Sequence, residues 1–514
     1  MVKTSLMSKT TQLPQIKTVE KIFEHDNKSS KINSISIKFE LLLWNLLKRM
    51  SKVNLFRPFI KTCSSCKRKY AEIFVDHYIS NQISCKKCKL KTKIYSKTII
   101  LVMSLIEKGL KIPRHEFRRI LGKNPQLKRL VLNYLEGVGT YGPKIPLIPA
   151  GPIVTIWSIT HLCNLNCQHC YISHDSTIKE LTYKEVCKII DQLYEANTFI
   201  LGFSGGEPLV RKDIFQIFQY ASKKMNIALA TNGTFITPQI AEKLKDAGVG
   251  YVQISIDGLK ETHNHNRGVG TYEKAISAIN YCIDAGLYVS MDVVVTKTNI
   301  DQFPQLIELA KNLKVQKIEI VDFVPTGQAM GSSHLMLSPI QMEKFGATVC
   351  DIWLDLMKKE YPLTLSFKNP VFTRIVAERF PNINFMPFFK GLFPKKALQF
   401  FNFSDRLQKG VFKEQTPFSP FVTGCECGVY VIHIKPDGDI TPCPLNPALL
   451  GNVKKNHIKD IWQKSPILNQ YRGLKFEGKC GKCMYKTICG GCRAKAFLDS
   501  GSHTESDTSC IINT

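Results

Sequence analysis

The chain has 514 residues, 44% hydrophobic and 22% charged, the balance of a globular protein divided into about two to four domains. No apolar run approaches the roughly 18 residues that span a bilayer, and the N-terminus shows no apolar stretch with a small-residue cleavage site. With neither a secretory signal nor a membrane span visible, the protein is expected to be cytoplasmic.

The net charge of +28 is lopsided. Residues 1–150 hold 30 of the 70 basic residues and 9 of the 42 acidic ones. This N-terminal excess suits an acidic partner or a peripheral position on an anionic membrane, or is a solvated lysine-rich tail. There are 18 cysteines, which in a cytosolic chain point to metal rather than disulfides.

In chain order, residues 1–36 are polar and aperiodic and are expected to be disordered. Residues 37–60 read as a basic amphipathic helix ending near Pro58, able to pack on its own protein or to lie on a membrane surface. Residues 61–92 carry Cys63-x2-Cys66 and Cys85-x2-Cys88, a spacing for four-thiolate zinc on two short hairpins, with a rubredoxin-like iron or cluster site as the alternative. Lys67, Arg68, Lys69, Lys86 and Lys87 surround it. Residues 93–150 form a basic helical linker, with helices over 97–138 that present Arg114, Arg118 and Arg119. A Gly/Pro-rich boundary follows, ending at Pro152.

From residue 151 to 335, strands near 154–159, 198–203, 227–231, 251–256, 288–295 and 317–323 alternate with helices near 182–196, 212–224, 272–286 and 301–313. Thr182 and Glu185 form a capping box at the first of these helices. This α/β pattern predicts a partial (β/α)6 TIM-like barrel with its chemistry at the C-terminal strand ends. Residues 336–420 read as a helical bridge or lid, and 421–514 as a cysteine-rich domain. Cys187, Cys282 and Cys350 fall on apolar helical faces and read as buried free thiols.

Directly after the first strand comes Cys163-x3-Cys167-x2-Cys170. Three thiolates can hold three irons of a [4Fe–4S] cube and leave the fourth iron open. A structural zinc would take four ligands, and only His161 or His169 lies near. Successive strand ends then carry Ser204-Gly205-Gly206-Glu207-Pro208, Ala230-Thr231-Asn232-Gly233, Ser255-Ile256-Asp257-Gly258 with His263 and Arg267, and Val324-Pro325-Thr326-Gly327. In this order the series resembles the radical S-adenosylmethionine (SAM) superfamily over about residues 153–330. The resemblance implies that the backbone at Gly205, Gly206 and Glu207 meets the SAM amino group. It further implies that Ser255 and Arg267 contact its ribose and carboxylate, and that Val324 supports the adenine. It implies an open iron that chelates SAM, an electron from a ferredoxin- or flavodoxin-type reductant, and a 5′-deoxyadenosyl radical that takes hydrogen from an unactivated carbon.

Further on stand Cys425, Cys427, Gly438-x4-Cys443, Cys480-x2-Cys483-x5-Cys489-x2-Cys492 and Cys510. With Pro442-Cys443-Pro444, Gly451-Asn452 and Ile461-Trp462, this text resembles a SPASM domain. The resemblance implies one or two auxiliary [4Fe–4S] clusters. One would lie on Cys480, Cys483, Cys489 and Cys510, the other on Cys425, Cys443 and Cys492, with the part of Cys427 left open. Zinc in the Cys-x2-Cys block stays open too. The Cys489-Gly-Gly-Cys492-Arg-Ala text is similar to haem-biosynthesis and mycofactocin-type members, while Pro444 stands where sulfatase-maturing members carry an aspartate. The substrate implied is a peptide or a tetrapyrrole. A membrane lipid is suggested only by the basic N-terminus, and a non-catalytic iron–sulfur or nucleic-acid-binding protein would leave the SAM-site series unexplained.

Overall fold

The computed structural model describes residues 56–83, 85–95, 100, 103, 113–142, 147–173, 178–379 and 424–513. The expectations for 1–36, for most of the 37–60 helix and for the end of the 336–420 bridge lie outside the described residues. Residues 56–60 form a short 3-10 turn, Arg57–Ile60, with Pro58 and Phe59 buried.

N-terminal helices α1 (Tyr70–Ser80), α2 (Arg114–Lys123) and α3 (Pro125–Tyr141), with a further helical stretch at 86–95, precede the sheet among the described residues. The start of α3 follows from its sequence. Asn124 accepts from the Leu127 amide at 2.8 Å, and Pro125 stands at the first helical position, where a missing N–H costs nothing.

The centre is a ten-stranded sheet in the order β10-β9-β8-β1-β2-β3-β4-β5-β6-β7. Six strands, β1 (Val154–Ser158), β2 (Ile200–Ser204), β3 (Asn226–Thr231), β4 (Val249–Ser255), β5 (Tyr288–Val295) and β6 (Lys317–Asp322), lie near their expected positions. Helices α4 (Tyr183–Glu195), α5 (Ile214–Ser222), α6 (Pro238–Asp246), α7 (Lys260–Arg267), α8 (Thr271–Asp284) and α9 (Phe303–Asn312) connect them. The Thr182–Glu185 capping box is present, with the Thr182 amide donating to Glu185 Oε2 at 2.8 Å.

One face of the sheet packs on the helices. Trp157 stacks on Phe203, and Phe203 lies 5.2 Å from Phe218, centroid to centroid. Each such side chain contributes roughly 1.5–3 kcal/mol relative to exposure. Successive residues of a strand face opposite sides. Val289, Met291, Val293 and Val295 therefore join this core, while Ser290 and Asp292 face the other way.

The sheet extends beyond six strands. After α10 (Pro339–Lys358), β7 (Thr364–Lys368) pairs parallel with β6 before α11 (Pro370–Arg379). The segment read as a bridge thus supplies an edge strand. At the other side, β8 (Val431–Ile434) pairs parallel with β1 from Val154↔Val431 to Trp157↔Ile434. The hairpin β8, β9 (Asp439–Thr441) and β10 (Gly451–Asn452) continues antiparallel from there. The cysteine-rich segment is therefore hydrogen-bonded into the sheet that it follows in sequence. It continues as α12 (Ile458–Lys464), α13 (Pro466–Arg472), α14 (Gly478–Lys482) and α15 (Arg493–Ser500).

The N-terminal helices pack at the opposite, N-terminal ends of the strands. Phe59, Phe74, Phe117 and Leu135 share a core with Ile153 and Phe199, which lead into β1 and β2. Fully buried Asn133 pins this contact. Its amide donates to Gly151 O and Asn197 O, both at 3.1 Å, and its oxygen accepts from the Gly151 amide at 2.8 Å. Buried Glu136 pairs with Lys69 at 2.8 Å and with Lys459 of α12 at 3.2 Å. Among the described residues no helix is long and apolar enough to cross a membrane.

Cys282 and Cys350 are buried free thiols as expected, whereas Cys187 is half-buried. Asn133→Leu is expected to lower stability by about 2 kcal/mol, because it strands three buried main-chain groups. Urea unfolding followed by circular dichroism and tryptophan fluorescence measures the effect.

Candidate functional site

Cys163, Cys167 and Cys170 lie on the loop leaving the C-terminal end of β1, and the ends of four further strands hold that loop. At the end of β2, the Gly206 amide donates to Thr160 O at 2.9 Å and the Glu207 amide to Leu162 O at 2.8 Å. A Cβ on Gly205 would lie 2.3 Å from Thr160 O, and one on Gly206 would lie 2.1 Å from Leu162 O. The glycine pair thus admits the cysteine loop's own backbone, an approach that any side chain would block.

At the end of β3, Asn232 Nδ2 donates to Asn164 Oδ1 at 2.9 Å and lies 4.0 Å from Cys163 Sγ. Beyond β6, Gly327 adopts φ +61° where a Cβ would meet Tyr171 O at 2.1 Å, and the Ala329 amide donates to Cys170 O at 3.0 Å. Val324 is buried just before that turn.

The strongest tie comes from β4. Asp257 is fully buried two residues past Ser255. Its carboxylate accepts from Arg267 Nε and from the Val294 amide at 2.9 Å, and lies 3.0 Å from His169 Nε2. Burial alone would raise its pKa. The Arg267 guanidinium and His169 outweigh that and hold the carboxyl well below the usual range. Arg267 also reaches His169 Nε2 at 3.2 Å and Cys167 Sγ at 4.0 Å. The arginine expected to meet SAM thus also fixes the cysteine loop. Glu207 is fully buried and accepts from Thr231 Oγ1 at 2.9 Å and from the Asn232 amide at 2.8 Å, which binds β2 to β3. Burial pushes its carboxyl up to about 7. Ser255 is half-buried at the end of β4.

Burial raises all three loop thiols, Cys170 to about 11; Cys163 senses Cys167, and Cys170 senses both of the others. Their sulfurs are not all within 4.8 Å of one another, so they do not converge on a single ion. A triangle of soft thiolates wider than a mononuclear site, one sulfur for each of three irons, fits a cubane cluster.

The C-terminal cysteines sort into two neighbourhoods. Cys427 hydrogen-bonds with both Cys425 and Cys443, and Cys492 senses Cys425. Cys427 thus joins the Cys425 group. Cys489 and Cys510 each sense Cys480, and so does Cys483. Fully buried Asp507 lies between the groups. Its carboxylate accepts from the Cys492 amide at 2.7 Å, and its own amide donates to Cys480 Sγ at 3.4 Å.

In the N-terminal set the four sulfurs of Cys63, Cys66, Cys85 and Cys88 do converge, all within 4.8 Å. Cys63 and Cys85 are 4.0 Å apart, and Cys66 and Cys88 3.5 Å. A tetrahedral ion with metal–sulfur bonds of about 2.3 Å would separate thiolates by about 3.8 Å. The backbone N–H groups of Cys66 and Ser65 lower the Cys63 thiol to about 5, toward the thiolate a metal requires. The surrounding fold is not the expected pair of hairpins. A Thr62↔Lys69 bridge closes the first turn, but α1 separates the pairs and Cys85 leads directly into a helix. A helical module takes the place of a ribbon.

A further polar set lies on the sheet face away from the helices. Gln253 donates to Asp292 at 2.9 Å and Ser290 to Asp292 at 2.6 Å. Glu319 pairs with Lys317 and Lys368, and Lys368 reaches Glu426 at 3.3 Å. Burial and the neighbouring Glu319 push Asp292 up to about 7. The sequence carried a signal for this set. Parallel strands covered on both faces read as continuous apolar runs, but β4 to β6 break them with polar residues at alternate positions, Tyr251 and Gln253, Ser290 and Asp292, Lys317 and Glu319.

A profile of the radical SAM superfamily matches residues 157–310, and that of the SPASM iron–sulfur cluster-binding domain matches 425–493. The AdoMet-dependent heme synthase of Methanosarcina barkeri is 31% identical over 70% of this chain and 96% of its own length. The mycofactocin maturase MftC of Mycolicibacterium smegmatis is 28% identical over 70% and 83%. Streptococcus suis SuiB bound to S-adenosylmethionine superposes with a TM-score of 0.58 at 16% identity, covering 86% of this chain and 92% of that one, a likeness of fold alone. The chain belongs to the radical SAM superfamily. It is a SPASM-bearing enzyme of that family and uses SAM with [4Fe–4S] clusters.

Replacing Asp257 by Asn should cost about 3 kcal/mol near neutral pH, because it leaves Arg267 buried without its counter-charge. Asp257 has a depressed pKa when folded, so its contribution is present above the ordinary aspartate value of about 4 and is lost as pH falls through and below it. The gap between wild type and variant in urea midpoints should therefore narrow on going from pH 7 to pH 3.5.

Proposed function

We propose that this enzyme is a radical SAM oxidoreductase acting on a side chain of a tetrapyrrole. The observation that carries this reading is the match to a heme synthase over nearly the whole of that relative. A pre-heme d1 synthase from Dinoroseobacter shibae, 28% identical over 91% of its length, agrees with it. Peptide maturation is the second reading, favoured by the mycofactocin maturase match and by the fold shared with SuiB bound to its precursor peptide SuiA.

Cys163, Cys167 and Cys170 hold the SAM-binding cluster. When bound, it supplies the electron that divides SAM and so generates the hydrogen-abstracting radical. Gly205, Gly206 and Glu207 set the floor beneath SAM, Ser255 and Val324 line it, and Arg267 orients both SAM and the cysteine loop. Cys480, Cys483, Cys489 and Cys510 form one auxiliary site; Cys425, Cys427, Cys443 and Cys492 form the other. Cys63, Cys66, Cys85 and Cys88 hold a structural zinc, and their distance from the strand C-termini gives that ion no part in the chemistry.

The functional units are a metal module at 61–92, a radical SAM core at 151–335 curved as a partial barrel, and a SPASM unit at 421–514. Gln253, Asp292, Lys317, Glu319 and Lys368 form the polar wall of the core's substrate side. A ferredoxin- or flavodoxin-type protein delivers electrons in the cytoplasm, and the basic N-terminus meets an acidic partner or a membrane surface.

Anaerobically loaded protein should carry about 12 irons and one zinc per chain. Given reductant and SAM it should form 5′-deoxyadenosine, and the Cys163→Ala, Cys167→Ala, Cys170→Ala variant should form none. With an iron porphyrin bearing propionate side chains, mass spectrometry should show loss of carbon dioxide together with two hydrogens per propionate reacted, one taken as an atom by the radical and the other leaving as a proton with its electron passing to an acceptor. A porphyrin returned unchanged, beside a modified precursor peptide, would favour the second reading. Cys63→Ser should lose the zinc and leave SAM cleavage in place.

A further inference from the structure

A line of buried polar side chains joins the cysteine loop to the auxiliary cysteines and is not used by any role given above. It begins at Ser204, the last residue of β2. Ser204 Oγ is 2.9 Å from the hydroxyl of Tyr171, which directly follows Cys170. Tyr171 also hydrogen-bonds to Ser158 at the end of β1. Ser158 Oγ is 2.8 Å from His433 Nε2 on β8, His433 Nδ1 is 2.9 Å from Thr441 Oγ1 on β9, and Thr441 Oγ1 donates to Cys443 O at 3.0 Å. Ser158, His433 and Thr441 are each at most 3% exposed.

The direction of every bond follows from its last link. A carbonyl only accepts, so the single Thr441 proton goes to Cys443 O. Thr441 must then accept from His433, which places the imidazole proton on Nδ1. Burial holds this ring well below the ordinary imidazole range, near 3, so it is neutral and Nε2 is bare. Nε2 therefore accepts from Ser158, Ser158 accepts from Tyr171, and Tyr171 accepts from Ser204. All the O–H and N–H dipoles point the same way, with positive ends toward Cys443 and negative ends toward the Cys170 side.

We propose that His433 is a positioning residue that closes this one-directional chain, and that the chain makes the Cys443 site the easier of the two cysteine centres to reduce. Aligned hydrogen bonds polarise one another, and partners beyond the direct ligands tune a metal site. Positive ends aimed at Cys443 favour extra negative charge there, while the negative ends disfavour it beside Cys170. An electron available to both sites is thereby drawn toward the C-terminal one. The inference rests on the reading that Cys443 and Cys170 ligate separate clusters.

The test is an anaerobic, EPR-monitored redox titration of the full-length, cluster-loaded protein, with iron content measured alongside. His433→Phe breaks the chain at its centre and Thr441→Val at its last link. In both, the midpoint of the Cys443 centre should move to more negative potential with iron content unchanged. His433→Gln, whose amide can accept from Ser158 and donate to Thr441, should restore it toward wild type. Should His433→Phe lose iron, Thr441→Val reads the same quantity without removing the ring. Wild-type midpoints in an iron-replete Thr441→Val would overturn the proposal alone. Wild-type protein with iron only at the Cys163 loop would overturn the reading beneath it as well.

Discussion

The buried carboxylate of Asp257 is the interaction on which the site depends. An unpaired charge in that position would be costly. Here it is paired with Arg267 and His169 and accepts from the Val294 amide, while the Asp257 carbonyl accepts from Asn299 Nδ2 at 2.8 Å. The partners come from α7, from the cysteine loop between Cys167 and Cys170, from β5 and from the turn after it. One buried residue therefore fixes four segments, three of them through its carboxylate, and the cysteine loop cannot shift without exposing or unpairing a buried charge.

The remaining contacts follow from close approach. Gly205 and Gly206 leave room for Thr160 O and Leu162 O, and Gly327 leaves room for Tyr171 O. The loop is thus held between main chains rather than between rotatable side chains, which suits a site whose ligands must be placed before the metal arrives. The pairing of β8 with β1 brings the C-terminal cysteines to the same sheet, and the buried Lys495–Asp322 pair at 2.6 Å joins α15 to the end of β6. The N-terminal module packs at the other ends of the strands, through Asn133 and Glu136. The three-cysteine loop and the four-cysteine site therefore lie toward opposite ends of the strands.

Much of this was legible in the sequence. Strands β1 to β6 announced themselves by β-branched runs at regular spacing, and the three cysteines by a spacing that leaves one iron open. The strands β7 and β8 were not legible. β8 pairs with β1, a strand remote in sequence, a choice set by tertiary packing rather than by local pattern, and β7 follows β6 within the segment read as a helical bridge. His169 read only as a possible fourth ligand for a zinc, and Asp257 as part of the Ser255-to-Gly258 motif; only the fold shows that they meet. The glycine pair was legible as a close approach, but its neighbour is the cysteine loop itself. The spacing of Cys63 to Cys88 picked out four sulfurs that the fold brings together, yet the helix between the pairs was hidden by the hairpin expectation. Cys427 could be placed only once Cys443 lay beside it.

The most direct test of the central claim is the EPR spectrum of the reduced, iron-loaded enzyme before and after SAM is added. If three fixed thiolates leave one iron without a protein ligand, SAM will alter the signal of one cluster and leave the others as they were. If SAM changes none of the cluster signals, no iron has an open position, and the account of this loop as the catalytic centre is contradicted.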